Sequence, residues 1–447
     1  MSDINQNWSP WKAAQDSQEI ERQLMGILHA ASAAKLTNDK KFMKLIIPAM
    51  INHDPDLVAA LKQHVDQKIF MKQLDNVPFE QPSDNASMIR SKETPIIIGM
   101  IRSDEARPFI YGIDNFNQHV LVLGGSGVGK TVLLSSLSLQ IMRFTPVIYF
   151  DHQKQDYRHM KRFKCARDLL VVKPQNLPVN FLQPPKGVNI QNWIVTFVTT
   201  FCKYNDLLSG SEGFLIKTMC SLYEDFGIFN GKDTYPTLSD LFRKIDHSNV
   251  KGNSRTSRFK ESILNRLEAY LALTGDASEF SKGVPTEWIA KKNIVFELAG
   301  LTEHTSRFYA AMILQGLFNS RIASGTRGNI IRNFVVADEC KYLTPPGYNP
   351  NLSFSPLTTL LSQARESGIG MVLADQTAQL EPSVFVNTKC KICFRLGDGA
   401  DIGKAARSLS LSEEQKDYIP KLDTGECIVR IPGEDPFLIE TLPINIE

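Results

Sequence analysis

The chain has 447 residues, a length that corresponds to about two to four domains. Hydrophobic residues make up 43% and charged residues 22%, which is the balance of an ordinary globular protein with enough apolar side chains for a large core. The formal net charge of +2 excludes a uniformly basic protein, but it does not exclude a local concentration of Lys and Arg.

The first 93 residues predict a helical N-terminal module and linker. Asp16 followed by Glu19 resembles a capping box, and Asp54-Pro55 has the residue types that begin a second helix. Residues 76–87 are rich in Pro, Ser and Asn, which indicates a linker. The N-terminus lacks the basic and apolar regions of a signal peptide.

From Thr94 onward the pattern changes to that of an α/β protein with a mostly parallel sheet. TPIIIGMI and RPFIYGI predict a hairpin, and HVLVLGG, TVLLSSLSLQIM and PVIYFD predict a strand, a helix and a strand. We interpret 94–187 as the first half of the core and 188–290, which has helical periodicity, as an all-α insertion. Residues 291–447 supply the second half, including the strands NIVFEL, NFVVAD, IGMVLAD and KICFRL and two C-terminal strands.

The segment GGSGVGKT between the predicted strand and helix fits the phosphate-binding pattern G-x-x-x-x-G-K-[ST]. Glycine lets the loop turn its backbone N–H groups toward phosphates, and Lys130 adds a positive charge for the β- and γ-phosphates. The Thr131 hydroxyl is a predicted ligand for Mg²⁺, and the N-terminus of the following helix favours the phosphate anion. We therefore predict ATP and Mg²⁺ as cofactors. The predicted nucleotide-binding residues are Gly124, Gly125, Ser126, Gly127, Val128, Gly129, Lys130 and Thr131.

Two later strands end in polar residues that complete such a site. FVVADE ends in Asp338, a predicted Mg²⁺ ligand, and Glu339, which we predict to polarise the attacking water. Gln376 follows the strand IGMVLAD and is predicted to sense the γ-phosphate, whereas the adjacent Asp375 receives no role. The alternative is that these strands simply end in polar residues at solvent.

These motifs together resemble the HerA/FtsK superfamily of ring-forming motors, from about Ile96 to the C-terminus. FDHQKQDY is similar to the superfamily pattern D-P-K-G-[DE]-Y, with His152 in place of Pro and Gln155 in place of Gly. The segment LLSQARESGIGMVLADQT and the tail with LSEEQ before a Gly-Glu strand are also similar to the family. The helical N-terminal module differs from the small β-barrel usual in HerA proteins.

The resemblance implies a P-loop NTPase core of the RecA-like type and a homo-hexameric ring. It also implies that ATP hydrolysis drives double-stranded DNA translocation, often beside a nuclease or other effector. Two alternatives stay open: a type IV secretion or conjugation ATPase, which shares the core and a helical insertion, and an ATP-dependent scaffold that activates an effector subunit.

The resemblance further implies a catalytic arginine that acts on the neighbouring subunit. Arg365 lies where the family has this residue, and Arg395 and Arg407 are the reserves; a solvated arginine at a helix end is the alternative. The basic run 250–260 suits either phosphate contact or a solvated helix start.

The seven cysteines, an odd number without disulfide-type spacing, favour a reducing compartment. Cys390 and Cys393 lie on a predicted strand that directs them to opposite faces, so we interpret them as core residues. No window reaches the ~20 apolar residues of a membrane span. We therefore expect a cytoplasmic protein with no integral membrane segment.

Overall fold

The computed structural model describes residues 23–28, 46, 48–50, 55–66, 78–83, 88–89, 94–102, 107–208, 210–250, 252, 254–325, 330–345 and 356–442. Its centre is a sheet of twelve strands within these residues. The strands are β1 (Met88–Ile89), β2 (Pro95–Ile101), β3 (Arg107–Gly112), β4 (Val120–Leu123), β5 (Val147–Asp151), β6 (Leu170–Val172), β7 (Ile294–Glu297), β8 (Asn333–Asp338), β9 (Ile369–Asp375), β10 (Cys390–Cys393), β11 (Glu426–Arg430) and β12 (Phe437–Thr441).

The strand order is β1-β3-β2-β12-β11-β10-β4-β9-β8-β5-β7-β6. Seven strands, from β10 to β6 in this order, run parallel to their neighbours. The remaining strands pair antiparallel, apart from β1 with β3. The predicted hairpin of β2 and β3 and the mostly parallel sheet are both confirmed.

Helices cover both faces of the sheet, which is why the parallel strands are continuous apolar runs. The helices are α1 (Pro55–Asp66), α2 (Lys130–Ile141), α3 (Ile190–Tyr204), α4 (Ser211–Asp225), α5 (Leu238–Asp246), α6 (Arg255–Thr274), α7 (Thr286–Ile289), α8 (Glu303–Ala323), α9 (Pro356–Ala364), α10 (Pro382–Asn387), α11 (Gly399–Leu409) and α12 (Glu413–Lys416). Two apolar clusters lie on opposite sides of the strands. Cys393 belongs to one cluster and Cys390 to the other, as strand alternation predicts.

Helices α3 to α7 lie between β6 and β7, in the part of the chain where the sequence predicts a helical insertion. Thr237 caps α5 in a reciprocal capping box with Asp240. The insertion packs on the sheet through aromatic rings: Phe308 of α8 contacts Phe197 and Phe201 of α3 edge to face. Because insertion and sheet share one apolar cluster, the domain boundaries in the chain remain a prediction.

Some expectations fall outside the described residues or were incomplete. The predicted capping box of Asp16 and Glu19 is not among the described residues, and neither is Asp54, although α1 begins at Pro55. Strand β6 was not predicted, since Leu170–Val172 is only three residues long and half-buried. Tertiary pairing with β7 makes it a strand.

Candidate nucleotide site

The site lies at the carboxyl ends of four adjacent parallel strands, β4, β9, β8 and β5. Leu123 pairs with Asp375 at the ends of β4 and β9, and Asp338 pairs with Ala374 at the end of β8. The loop after β4 therefore faces acidic residues from the next strands. In a parallel sheet all such loops emerge at one edge, so residues far apart in sequence meet there.

The glycine-rich loop is fixed to its neighbours by backbone hydrogen bonds. The Gly125 N–H donates to the Arg395 carbonyl at 2.9 Å, and the Gly425 N–H donates to the Val128 carbonyl at 3.0 Å. A Cβ at Gly124 would lie 2.6 Å from the Phe394 Cβ, and Gly129 has φ +111°. Other residue types at these two positions would displace or strain the loop.

Lys130 begins α2 and is 3% exposed. Its ammonium group donates to the carbonyl oxygens of Gly124 and Gly125, each at 2.5 Å. Burial lowers the Lys130 pKa to about 8, and the nearby carboxylates of Asp338 and Asp375 oppose this shift. The side chain thus stays mainly protonated at neutral pH. Its positive charge is held beside the loop that the sequence predicts to bind phosphates.

Asp338 and Glu339 end β8 in buried positions. Asp338 accepts hydrogen bonds from the Tyr157 hydroxyl at 2.7 Å and from the Glu339 N–H at 3.1 Å. Glu339 adopts φ +58°, a left-handed conformation that is uncommon for Glu. Burial raises the Glu339 pKa.

Gln376 contacts Glu339 directly. Its side-chain amide donates to Glu339 Oε1 at 2.8 Å, while the buried Oε2 has no hydrogen-bond partner in the described part of the chain. The structure therefore brings the predicted sensor and the predicted water-polarising residue together across β8 and β9. One carboxylate oxygen is restrained by a hydrogen bond, and the other is buried without a partner among the described residues.

Asp375, which has no role predicted from its sequence context, connects the loops that follow β8 and β9. The fully buried carboxylate accepts the Lys341 N–H on Oδ2 at 2.9 Å. On Oδ1 it accepts the N–H groups of Gln376 at 2.8 Å and Thr377 at 3.2 Å. Burial raises its pKa. In the sequence, the signal for a role of Asp375 is its position at a strand end before Gln376. Its hydrogen-bond partner, the Lys341 N–H, can be identified only from the structure.

Asp151 ends β5 and is 2% exposed. Its Oδ1 accepts the Lys154 N–H at 3.0 Å, and its Oδ2 has no partner among the described residues. Burial raises the Asp151 pKa to about 6, and Asp338 adds to this shift. Asp151 is thus a further carboxyl group close to the site.

The two departures from the superfamily pattern after Asp151 are accommodated locally. Gln155 adopts φ +57°, the left-handed region that explains why Gly is usual there. His152 is buried; its Nδ1 lies 2.7 Å from the Ser306 hydroxyl and its ring stacks on Tyr342. Burial lowers the His152 pKa to about 3, so the ring is neutral.

Arg365 lies at the amino ends of the parallel strands, whereas the nucleotide loop lies at their carboxyl ends. It is exposed in the turn after α9, before β9 begins, whereas Gln376 follows the other end of this seven-residue strand, roughly 20 Å away. The Arg365 charge also contributes to the low pKa of His119, which burial chiefly lowers to about 4 and which directly precedes β4. Arg365 therefore does not reach the glycine-rich loop of its own chain.

The two reserve arginines have different surroundings. Arg395 lies beside its own glycine-rich loop, because its carbonyl accepts the Gly125 N–H. Arg407 is exposed near the end of α11. The geometry therefore places Arg395 next to the loop of its own chain and Arg365 at the other end of the strands.

The cysteine pair has no metal-site geometry. Cys390 and Cys393 are buried on opposite faces of β10, and burial raises the pKa of each thiol to about 12. In the described ranges, no group of three or more His, Cys, Asp or Glu side chains is arranged to hold a metal ion. The interpretation of both residues as core cysteines agrees with this.

Comparisons with known proteins agree with the fold and the loop. Residues 96–317 match the family model of the helicase HerA central domain. VirB4 of Thermoanaerobacter pseudethanolicus superimposes with a TM-score of 0.60 at 19% identity, covering 78% of this chain and 97% of that one. The bacterial conjugative coupling protein TrwB gives a TM-score of 0.58 at 14% identity, covering 83% and 95%.

A second TrwB structure, in complex with ADP and Mg²⁺, has a TM-score of 0.57 at 13% identity and covers 81% of this chain and 93% of that one. Among curated protein sequences no significant match was found. The fold is that of a P-loop ATPase, with a mostly parallel sheet and the phosphate-binding loop after β4. The match over 96–317 is to a HerA model, and the fold is shared with VirB4 and TrwB, as expected of a HerA/FtsK-type P-loop ATPase. Among the described residues, no helix combines the length and the apolar character needed to cross a bilayer.

Proposed function

We propose that the protein is an ATP-hydrolysing, ring-forming motor that translocates double-stranded DNA. The observation that carries this proposal is the meeting of Lys130, Asp338, Glu339 and Gln376 at one edge of the sheet, with Glu339 Oε2 buried and unpartnered in the described part of the chain. DNA as the transported polymer, the homo-hexamer and a nuclease or effector partner rest on the resemblance to the superfamily.

In this proposal the loop from Gly124 to Thr131 binds the phosphates of ATP through backbone N–H groups and Lys130. The residues fit Mg²⁺, because the Thr131 hydroxyl and the Asp338 carboxylate are the hard oxygen ligands that this ion prefers. When bound, Mg²⁺ neutralises charge on the phosphates. A buried carboxylate rather than a charged surface group would thus serve as the second ligand.

Glu339 acts as the general base in this scheme. Its Oε2 accepts the proton of the attacking water, and a pKa raised by burial makes the carboxylate a better proton acceptor. Gln376 holds Oε1 and thereby orients the carboxylate. Because Gln376 follows the strand next to the glycine-rich loop, its amide is placed to change partners as the γ-phosphate is lost.

Arg365 would complete the site of a neighbouring subunit. An arginine on the far edge of the sheet cannot serve its own loop, but in a ring it can face the loop of the next copy. Transition-state charge on the transferred phosphoryl group would then be stabilised from the adjacent subunit.

A second candidate is an ATPase of a conjugation apparatus. VirB4 and TrwB, the coupling protein, share the fold over most of this chain. We favour the DNA motor because the sequence match is to the HerA central domain. The two functions differ in whether duplex DNA by itself accelerates ATP hydrolysis.

Steady-state ATPase activity with and without duplex DNA, on protein whose oligomeric state is measured in parallel, tests the proposal. We expect duplex DNA to raise the rate and rising salt to reduce this effect, because phosphate contacts release counterions. Lys130→Ala is the control, which should lose hydrolysis and keep its fold. A rate in assembled rings that is indifferent to duplex DNA at low salt would refute the DNA motor and favour the conjugation candidate.

A further inference from the structure

A strongly basic segment follows β5. Residues 154–173 contain seven Lys or Arg and two Asp, a net charge of +5, whereas the whole chain has a net charge of +2. The rest of the chain therefore has a slightly negative net charge, and the net positive charge of the protein comes from residues 154–173. The seven cations, all exposed, are Lys154, Arg158, Lys161, Arg162, Lys164, Arg167 and Lys173.

Most of this charge is not neutralised by the protein itself. Arg158 pairs with the buried Glu297 through two short hydrogen bonds, of 2.7 and 2.6 Å. Lys161, Lys164 and Arg167 have no ion pair among the described residues, and their side chains point to solvent. Within this segment, a shallow cleft of about 450 Å³ lies between the stretch 158–161 and β6, with Lys161 and Lys173 in its wall.

The segment is held by the nucleotide site. Tyr157, fully buried within it, donates its hydroxyl hydrogen to Asp338 Oδ2, and the Lys154 N–H donates to Asp151. Two short 3-10 helices, Asp156–Arg162 and Lys164–Ala166, carry most of the charges. A change at Asp338 during the ATP cycle would therefore be transmitted directly to the basic surface.

The chemistry of the surface fits the phosphates of a duplex. No large apolar side chain between 154 and 173 is exposed, whereas protein interfaces depend on apolar and aromatic anchors. Binding of single strands relies on exposed aromatic rings for base stacking, and Tyr157 is buried here. Lys and Arg without such rings make sequence-independent contacts to the backbone of double-stranded DNA.

We propose that the exposed cations of residues 154–173 form the surface that contacts the phosphates of duplex DNA. This inference rests on the proposed function and locates its substrate contact on the segment that Tyr157 bonds to Asp338. The run 250–260, which the sequence also offered for phosphate contact, begins α6 with Ser254 as its N-cap and lies on the helical insertion. Removing cations from this run therefore gives a control for the loss of positive charge by itself.

The test compares two triple variants with equal loss of charge. The first is Lys161→Gln with Lys164→Gln and Arg167→Gln; the control, on α4 and α6 of the insertion, is Lys217→Gln with Arg255→Gln and Arg258→Gln. Binding of a fluorescently labelled duplex is measured against salt concentration, together with ATPase rates. We expect the slope of log affinity against log salt to fall by about 2–3 in the first variant, because each lost phosphate contact removes about 0.9.

The basal ATPase rate of both variants should remain that of the wild type, and DNA stimulation should fall only in the first. Equal salt slopes in the two triple variants would overturn the assignment of this surface while leaving the motor intact. Tighter binding of a single strand than of the duplex by the wild type would overturn the choice of partner. A wild-type protein that neither binds duplex nor responds to it at low salt would refute the proposed function itself.

Discussion

Asp375→Asn tests how the site is held together, because this residue joins the loop of Glu339 to the loop of Gln376. Both carboxylate oxygens are used: Oδ2 accepts the Lys341 N–H, and Oδ1 accepts two further N–H groups. Asparagine keeps the size and one acceptor oxygen, which can stay on the Gln376 and Thr377 N–H groups, but its amide nitrogen then faces the Lys341 N–H. The Lys341 N–H would then meet a donor.

The expected cost follows from that mismatch. A buried N–H that loses its acceptor costs about 1–3 kcal/mol. The neutral amide offsets part of this cost, because burial disfavours the charged carboxylate and raises the Asp375 pKa. We therefore expect a small change in the free energy of unfolding but a displacement of Lys341, two residues after Glu339. A shift of about 1 Å in a catalytic group can lower the rate on the order of 10²-fold.

The assay separates hydrolysis from binding. We expect kcat for ATP hydrolysis to fall while ATP affinity stays within a few-fold, since the glycine-rich loop and the hydrogen bonds of Lys130 to it do not involve the Asp375 side chain. Asp401→Asn is a matched control: this buried carboxylate also accepts three hydrogen bonds, but all on Oδ1, which asparagine retains. Wild-type kcat in Asp375→Asn, or equal losses in both variants, would refute the reasoning.

Three further predictions concern single groups. Glu339→Gln should bind ATP but hydrolyse it far more slowly in steady-state assays, because an amide cannot take the proton of water; an unchanged rate would reassign the base. Asp151→Asn should stabilise the nucleotide-free protein more at pH 7 than at pH 5 in denaturant unfolding. The pKa of Asp151 is about 6 in the folded wild-type protein and lower in the unfolded chain. The buried carboxylate therefore lowers the free energy of unfolding increasingly as pH rises through this window, by about 2–3 kcal/mol in all. A pH-independent difference in stability between Asp151→Asn and the wild type would contradict this. Arg365→Ala should bind ATP without hydrolysing it, and mixing it with Lys130→Ala protein should restore some activity in rings shown by pull-down to exchange subunits; no recovery would move the role to Arg407 or Arg395.

Much of this architecture could be predicted from local sequence. The strands of the parallel core are continuous apolar runs between helical segments, and the glycine spacing of the loop has a direct steric reason at Gly124 and Gly129. Carboxylates at a strand end, such as that of Asp338, can be recognised as candidate ligands from the sequence. Burying an acidic group at the end of an apolar strand is costly unless the group has a binding partner. Alternation along the strand likewise suffices to predict that Cys390 and Cys393 lie on opposite faces of the sheet.

The tertiary structure alone decided which of these residues meet. Order along the chain does not fix the lateral order of strands, so the adjacency of β4, β9 and β8 and the bonds from Gln376 to Glu339 and from Asp375 to Lys341 could not be derived from spacing. The same is true of Tyr157, which has the pattern of a core aromatic in sequence and bonds Asp338 in the fold. Periodicity records which side of an element is buried, whereas hydrogen bonds across strands depend on how the elements pack.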